Sequence, residues 1–193
     1  MDESDVERCL KYYDLEGYLF GSVGPRFRNG GSLSAFEFFS IVVWKANRAK
    51  TRVAKRLRRG RPGKSWDAIV GELATSLSHA RDDRSKLAVL VQDYGFYLPM
   101  ASAILTVLWP DSFSVYDVRV CEILGRFGAL GQSTNIESLW PAYEQYVQAV
   151  QAEVPGRFTL REKDRALWAL STRSQLEHDM KCWLNDGTPN EEI

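Results

Sequence analysis

Cysteine is scarce and scattered in this chain. Cys9, Cys121 and Cys182 are the three in 193 residues, with no CxxC pair, which excludes a disulfide framework and the ligand spacing of a structural zinc site. All three read most simply as buried thiols. Histidine is equally sparse: His79 and His178 are expected to be surface or packing residues rather than metal ligands or bases. No uncharged apolar run reaches the roughly 18 residues of a membrane-spanning helix. The N-terminus, Met1-Asp-Glu-Ser-Asp, is acidic where a targeting peptide would be basic, so the expected location is cytoplasmic. Period-two alternation, internal repeats and low-complexity tracts are missing, which removes sheet-based and solenoid architectures. Net charge is absent as well, with 25 Lys and Arg against 25 Asp and Glu.

What is present is a 45% apolar chain, enough for a sizeable core, with frequent helix-start signals. Ser or Thr followed three residues later by Glu is the capping-box pattern. It occurs at Ser4/Glu7, Ser34/Glu37, Thr134/Glu137, Thr159/Glu162 and Ser174/Glu177, and each predicts a helix start. The first helix carries Val6, Leu10 and Tyr13 on one stripe. The second, from about Ala35, is apolar nearly all round and is expected to be central. Ser65 predicts a cap for a helix holding Trp66, Ile69, Val70, Leu73 and Leu77, and a shorter helix follows Asp82-Asp83. Pro99 suits the first turn of a helix running to about Leu108. Another helix begins near Asp117 and stops at Gly125 or Gly128. Pro141 is expected to restart a helix with Tyr143, Tyr146, Val147 and Val150 inward. Two helices, Leu160 to about Ser171 and Gln175 to Leu184, then a frayed tail after Asp186, complete the all-α reading. Gly17 to Gly31 carries no assignable pattern.

Charge is unevenly distributed. Between Lys45 and Lys64 lie ten bases and no acid (Lys45, Arg48, Lys50, Arg52, Lys55, Arg56, Arg58, Arg59, Arg61, Lys64), leaving 15 bases against 25 acids elsewhere, a remainder of −10. Such asymmetry in a neutral protein predicts one basic face suited to phosphates.

The run from Tyr94 to Leu124 reads as a turn, a buried helix, a polar loop and a lone acid, Asp117, before another helix. An Asp at a helix start is commonest as a cap for free N–H groups. The order and spacing nevertheless resemble the helix-hairpin-helix superfamily of base-excision DNA glycosylases, of the endonuclease III-like kind. In that family a Leu-Pro-Gly-x-Gly turn holds a DNA phosphate, and the following helix leads through a loop to a catalytic Asp. Without a gap, Met100-Ala-Ser-Ala-Ile-Leu takes the place of the family's second hairpin helix, Gly95 matches its first hairpin glycine, and the catalytic acid falls on Asp117. Tyr97 stands in place of the second glycine. Pro99 stands where bifunctional members carry a lysine, so the resemblance implies base release without Schiff-base chemistry or strand cleavage. An earlier stretch, Phe36-Glu-Phe-Phe-Ser-Ile-Val-Val-Trp-Lys-Ala-Asn, is similar to the helix that ends in the family's plugging Gln. Asn47 takes that position, and Lys45 lies close to where a base pocket would open. Leu160-Arg-Glu-Lys-Asp-Arg-Ala-Leu-Trp-Ala-Leu-Ser resembles C-terminal helices of small members, and Leu167 and Leu170 are expected inside.

The resemblance implies an all-α, two-lobed fold with a DNA cleft between lobes, residues 32–111 forming a central lobe and 1–31 plus 112–193 a second. It implies a monofunctional, monomeric DNA glycosylase of base-excision repair, a hydrolase acting on double-stranded DNA without cofactor, metal or iron–sulfur cluster, since only Cys182 lies where four cysteines would. Asp117 is the expected catalytic carboxylate. Asn47, Lys45, Arg48, Lys50, Arg52, Lys55, Gly95 and Tyr97 are the expected DNA contacts, and Trp44, Tyr94 and Tyr116 the expected base pocket. The alternative is a non-catalytic DNA-binding or partner-binding module on the same fold.

Overall fold

The computed structural model describes residues 2–186, the side chains of residues 8 and 184–186 apart. Every regular element among them is helical. In chain order these are α1 (Glu3–Tyr13), α2 (Leu15–Tyr18), α3 (Gly24–Gly30), α4 (Ala35–Ala46), α5 (Lys50–Arg58), α6 (Trp66–Ser78), α7 (Asp83–Ala88), α8 (Leu98–Leu108), α9 (Val118–Leu124), α10 (Ile136–Glu153) and α11 (Leu160–Asp186). Wider-wound turns at Leu19–Val23 and Val89–Asp93 extend α2 and α7, and one-turn 3₁₀ pieces at Asn47–Ala49 and Gly128–Gln132 link α4 to α5 and α9 to α10.

The most enclosed element is α8. Every residue from Met100 to Leu108 is buried, and α3, α4 and α7 pack around it. Full burial of side chains such as Ile104 and Leu105 contributes about 2 kcal/mol each. Pro99 lies in its first turn, as its missing N–H permits. The approach of α3 is so close that a Cβ on Gly24 would come within 2.4 Å of the Val107 carbonyl; only glycine permits that contact. One continuous core runs from Leu19 through α4, α6 and α8 to Tyr143, Tyr146 and Leu167.

Several expectations from the sequence hold. Ser34 and Glu37 form a complete capping box for α4, Ser65 caps α6 and Asp82 caps α7. Thr159 and Glu162 bond reciprocally at the start of α11, and α9 ends at Gly125 in the left-handed conformation. Tyr143, Tyr146 and Val150 are buried.

Others are corrected. The first helix is opened by an Asp2/Asp5 box rather than Ser4/Glu7, because an aspartate two residues earlier makes the same reciprocal bonds. Its expected stripe is exposed, with Tyr13 92% accessible; α1 leans on the body through Tyr12, which meets Tyr18 and Phe36 instead. Asn135, not Thr134, caps α10. Pro141 lies inside that helix at the cost of one backbone bond. The terminal helices are one: nothing between Ser171 and Gln175 breaks a helix, and Glu177 pairs with Arg173 rather than with a cap. Leu170 is exposed while Leu167 is buried. Helix α4 is less central than its composition suggests, since Phe36 and Val43 reach solvent. The unassigned Gly17 to Gly31 stretch is helical through α2, its wide turn and α3. Only Cys121 of the three thiols is buried; Cys9 is exposed and Cys182 partly so. His178 does have a thiol beside it, Cys182 Sγ at 3.5 Å, one helical turn on. The expected frayed tail lies outside the described residues.

Among the described residues no helix is long and apolar enough to cross a membrane. No group of three or more His, Cys, Asp or Glu side chains there could hold a metal ion.

Candidate functional site

Asp117 is placed by a loop that is held from behind. The segment 114–116 runs between α8 and α9, and each of its residues is hydrogen-bonded to a buried side chain. Tyr143 Oη donates to the Ser114 carbonyl at 2.6 Å and accepts from the Ser114 N–H at 3.2 Å. Tyr146 Oη donates to the Val115 carbonyl at 2.8 Å, and the Tyr116 N–H donates to Ser102 Oγ at 2.9 Å. Burial pushes the Tyr143 and Tyr146 phenols well above their ordinary range, so both stay neutral and able to donate. Four buried bonds over three residues leave the loop little freedom to move the acid that follows.

Asp117 does cap α9. One carboxylate oxygen, Oδ1, accepts from the Arg119 N–H at 3.1 Å. The other, Oδ2, accepts from Lys45 Nζ at 2.5 Å. Lys45 sits on the last turn of α4 and also approaches the Tyr116 carbonyl at 3.5 Å. The two side chains are 13% and 22% accessible, so the pair is half-desolvated and open on one side.

That open side is a cleft of about 430 Å³ walled by Trp44 and Lys45 of α4, Val115 and Asp117, Glu16 of α2, and Arg161, Asp164, Arg165, Trp168 and Ala169 of α11. Three acids (Glu16, Asp117, Asp164) and three bases (Lys45, Arg161, Arg165) line it, and two tryptophans supply flat apolar wall. Arg161 joins the sides. It donates to Asp164 at 2.5 Å and to Glu16 at 2.9 Å, and its guanidinium lies 4.9 Å from the Phe20 ring centre and 5.1 Å from that of Trp44. Its Nε is buried without a partner. Asp164 is 2% accessible. Burial raises its carboxyl above the usual carboxylate range, and the Arg161 guanidinium draws it partly back.

The expected site residues divide into three groups. Asp117, Lys45 and Trp44 meet in the cleft. Lys45 also borders a second recess of about 180 Å³ with Arg52, Arg56, Tyr97, Pro99 and Gln132, so the cleft, α5 and the turn before α8 are contiguous. Tyr97 lies beneath the Arg56 guanidinium at 4.4 Å. Gly95, in the left-handed conformation that the turn needs, instead borders a smaller recess with Arg56, Arg59 and Tyr94.

Two expected pocket aromatics do not line the cleft. Tyr94 is buried under Arg61 and stacks on Phe96. Tyr116 turns away, donating to the Phe127 carbonyl at 2.7 Å, and burial pushes its phenol up to about 12. Asn47 is exposed on its 3₁₀ turn and accepts from Lys50 at 3.1 Å. Trp168, Arg161, Asp164 and Arg165 were missed. In sequence they occupy an amphipathic helix of unremarkable pattern, and only the fold, which packs α11 on α9 and α10, sets it across the cleft from α4.

The ten-base segment is less uniform than its composition. Lys45, Arg61 and Lys64 are ion-paired with Asp117 and Glu72. Arg56, Arg58 and Arg61 lie over Tyr97, Trp66 and Tyr94. Arg48, Arg52, Lys55 and Arg59 are exposed with no ion pair or ring contact among the described residues.

No protein-family model matches the chain, and neither a curated protein nor a solved structure matches it significantly.

Proposed function

We propose that the chain is a DNA glycosylase that hydrolyses the N-glycosidic bond of a damaged or modified base flipped out of double-stranded DNA, with Asp117 as the catalytic carboxylate. The observation that carries this reading is the position of Asp117, fixed at the edge of a tryptophan-walled cleft by a loop that four buried hydrogen bonds hold still. As a base leaves, positive charge develops on the deoxyribose, and an ionised carboxylate beside C1′ stabilises it or orients the attacking water. The Lys45 ammonium pairs with Asp117 at the cleft wall. Trp44 and Trp168 offer faces for an extruded base. The exposed cations Arg48, Arg52, Lys55 and Arg59 suit the phosphates of the duplex.

A second reading has its own support. Both Asp117 oxygens are already occupied, by Lys45 and by the Arg119 N–H, and Tyr97 is packed under Arg56. A non-catalytic DNA-binding or partner-binding module on the same scaffold would show the same features. Base release from a panel of modified duplexes, with Asp117→Asn alongside, separates the readings: an enzyme releases a base and loses that activity in the variant, whereas a binding module releases none.

A further inference from the structure

Asp117 is covered by a residue that belongs to two cavities. Lys45 Nζ lies 2.5 Å from Asp117 Oδ2, and Lys45 borders both the cleft and the recess of about 180 Å³ beside α5. The two spaces differ in charge. Three acids and three bases line the cleft, whereas the recess is lined by Lys45, Arg52, Arg56 and Gln132 with no acid. Arg52 is exposed, and neither it nor Arg56 has an ion pair among the described residues. Two guanidiniums without a counter-ion, an amide and a lysine at the border suit an oxyanion.

We infer that this recess binds a backbone phosphate of the duplex and that the phosphate draws Lys45 off Asp117, so that the acid is uncovered only when the ligand is seated. The ligand class, duplex DNA, rests on the function proposed above. The recess is not the one that Gly95 borders.

The exchange trades one ion pair for another, with no covalent bond made and no proton moved. Lysine is a compact charge on a flexible four-carbon stem, so its ammonium can pass from one oxyanion to another without displacing the backbone. Asp117 cannot follow it. Its Oδ1 holds the Arg119 N–H at 3.1 Å, and the loop before it is tied to Tyr143, Tyr146 and Ser102. A phosphate held by Arg52 and Arg56 therefore offers Lys45 a second anion, and once Lys45 turns to it, Oδ2 faces the cleft alone. The Lys45–phosphate pair exists only in the uncovered state, which is the differential contact a ligand needs to shift the equilibrium. Occupation of both Asp117 oxygens is then the resting state of the unliganded chain.

The test measures affinity, at fixed salt, for a duplex carrying a single tetrahydrofuran abasic analogue, which has no base to release. Wild type, Asp117→Asn, Lys45→Met and the double variant are compared. Asp117→Asn relieves repulsion of phosphate in either background, but only where Lys45 is present does it also remove a pair that binding must break. The tightening it causes is expected to be about tenfold greater in the wild-type background than in Lys45→Met, the equivalent of about 1.4 kcal/mol. Lys45→Gln replaces Lys45→Met should that variant unfold. The excess is expected to vanish when Arg52→Gln and Arg56→Gln strip the recess of its guanidiniums. Equal tightening in both backgrounds overturns the inference, as does an excess that survives the loss of both arginines. Base release plays no part in this measurement. An excess without base release from any modified duplex would refute the glycosylase reading and leave the exchange standing; base release with equal tightening would do the reverse. Failure of all four proteins to bind the duplex would remove both.

Discussion

Replacing Asp117 by Asn keeps a helix cap and removes a charge, whereas replacing it by Ala removes both. The cap bond from the Arg119 N–H is 3.1 Å and an Asn side chain can accept it, so Asp117→Asn leaves α9 capped at little cost. What it does remove is the Lys45 pair, whose members are 13% and 22% accessible. That lies between an exposed pair, worth under about 1 kcal/mol, and a buried one whose breakage costs about 3–5 kcal/mol, so about 1–2 kcal/mol is expected. Asp117→Ala should lose a further ~1 kcal/mol for the cap. Urea titration of the three proteins reads both differences. A cycle with Lys45→Met isolates the pair, because Asp117→Asn should cost far less once the cation is gone. A residue that served as a cap alone would show no cost for Asn and no coupling to Lys45, and that outcome would refute the placement of a working charge pair at the cleft.

Asp164 has a folded-state pKa raised by burial above the ordinary 3.8, so its stabilising contribution is complete below that value and fades as pH rises through the folded-state value. The melting temperature of the wild type relative to Asp164→Asn should therefore fall as pH rises from about 3 toward neutral; a relative rise would show that the Arg161 partner outweighs burial. Removing the Tyr143 hydroxyl in Tyr143→Phe leaves the buried Ser114 N–H and carbonyl each short of a partner. About 2–3 kcal/mol should be lost, seen as a melting-temperature drop on the order of 5–10 °C. If Arg48, Arg52, Lys55 and Arg59 are the phosphate contacts, log K for duplex DNA should fall against log [salt] with a slope of roughly −4, and Arg48→Gln with Lys55→Gln should flatten it by about 2; a slope near zero would remove the basic face from the account.

The helix inventory was legible where one residue decides a boundary: Ser34 and Ser65 as caps, Pro99 in a first turn, Gly125 as one of two candidate stops. It was misread where a second residue offers the same bond, as Asp2 does before Ser4 and Asn135 beside Thr134. The segment Gly17 to Gly31 hid its helices because wide turns do not keep the 3.6-residue period. Asp117 stood out by position, but its partner did not. Lys45 and Asp117 are 72 residues apart, and nothing local distinguishes Lys45 from the nine bases that follow it. Arg161, Asp164 and Trp168 were invisible for the same reason, since a helix pattern gives its buried face and not the helix it will meet. Composition overstated the basic strip, because side-chain reach lets Arg56, Arg58 and Arg61 lie on rings.

The proposed function stands or falls on single-turnover base release from a panel of duplexes carrying oxidised, alkylated, deaminated or otherwise modified bases. Wild-type protein is predicted to release at least one such base, and Asp117→Asn to be slower on that duplex by on the order of 100-fold or more, while binding it as well or better. Full activity in the variant, or release of no base by the wild type across the panel, would contradict the account.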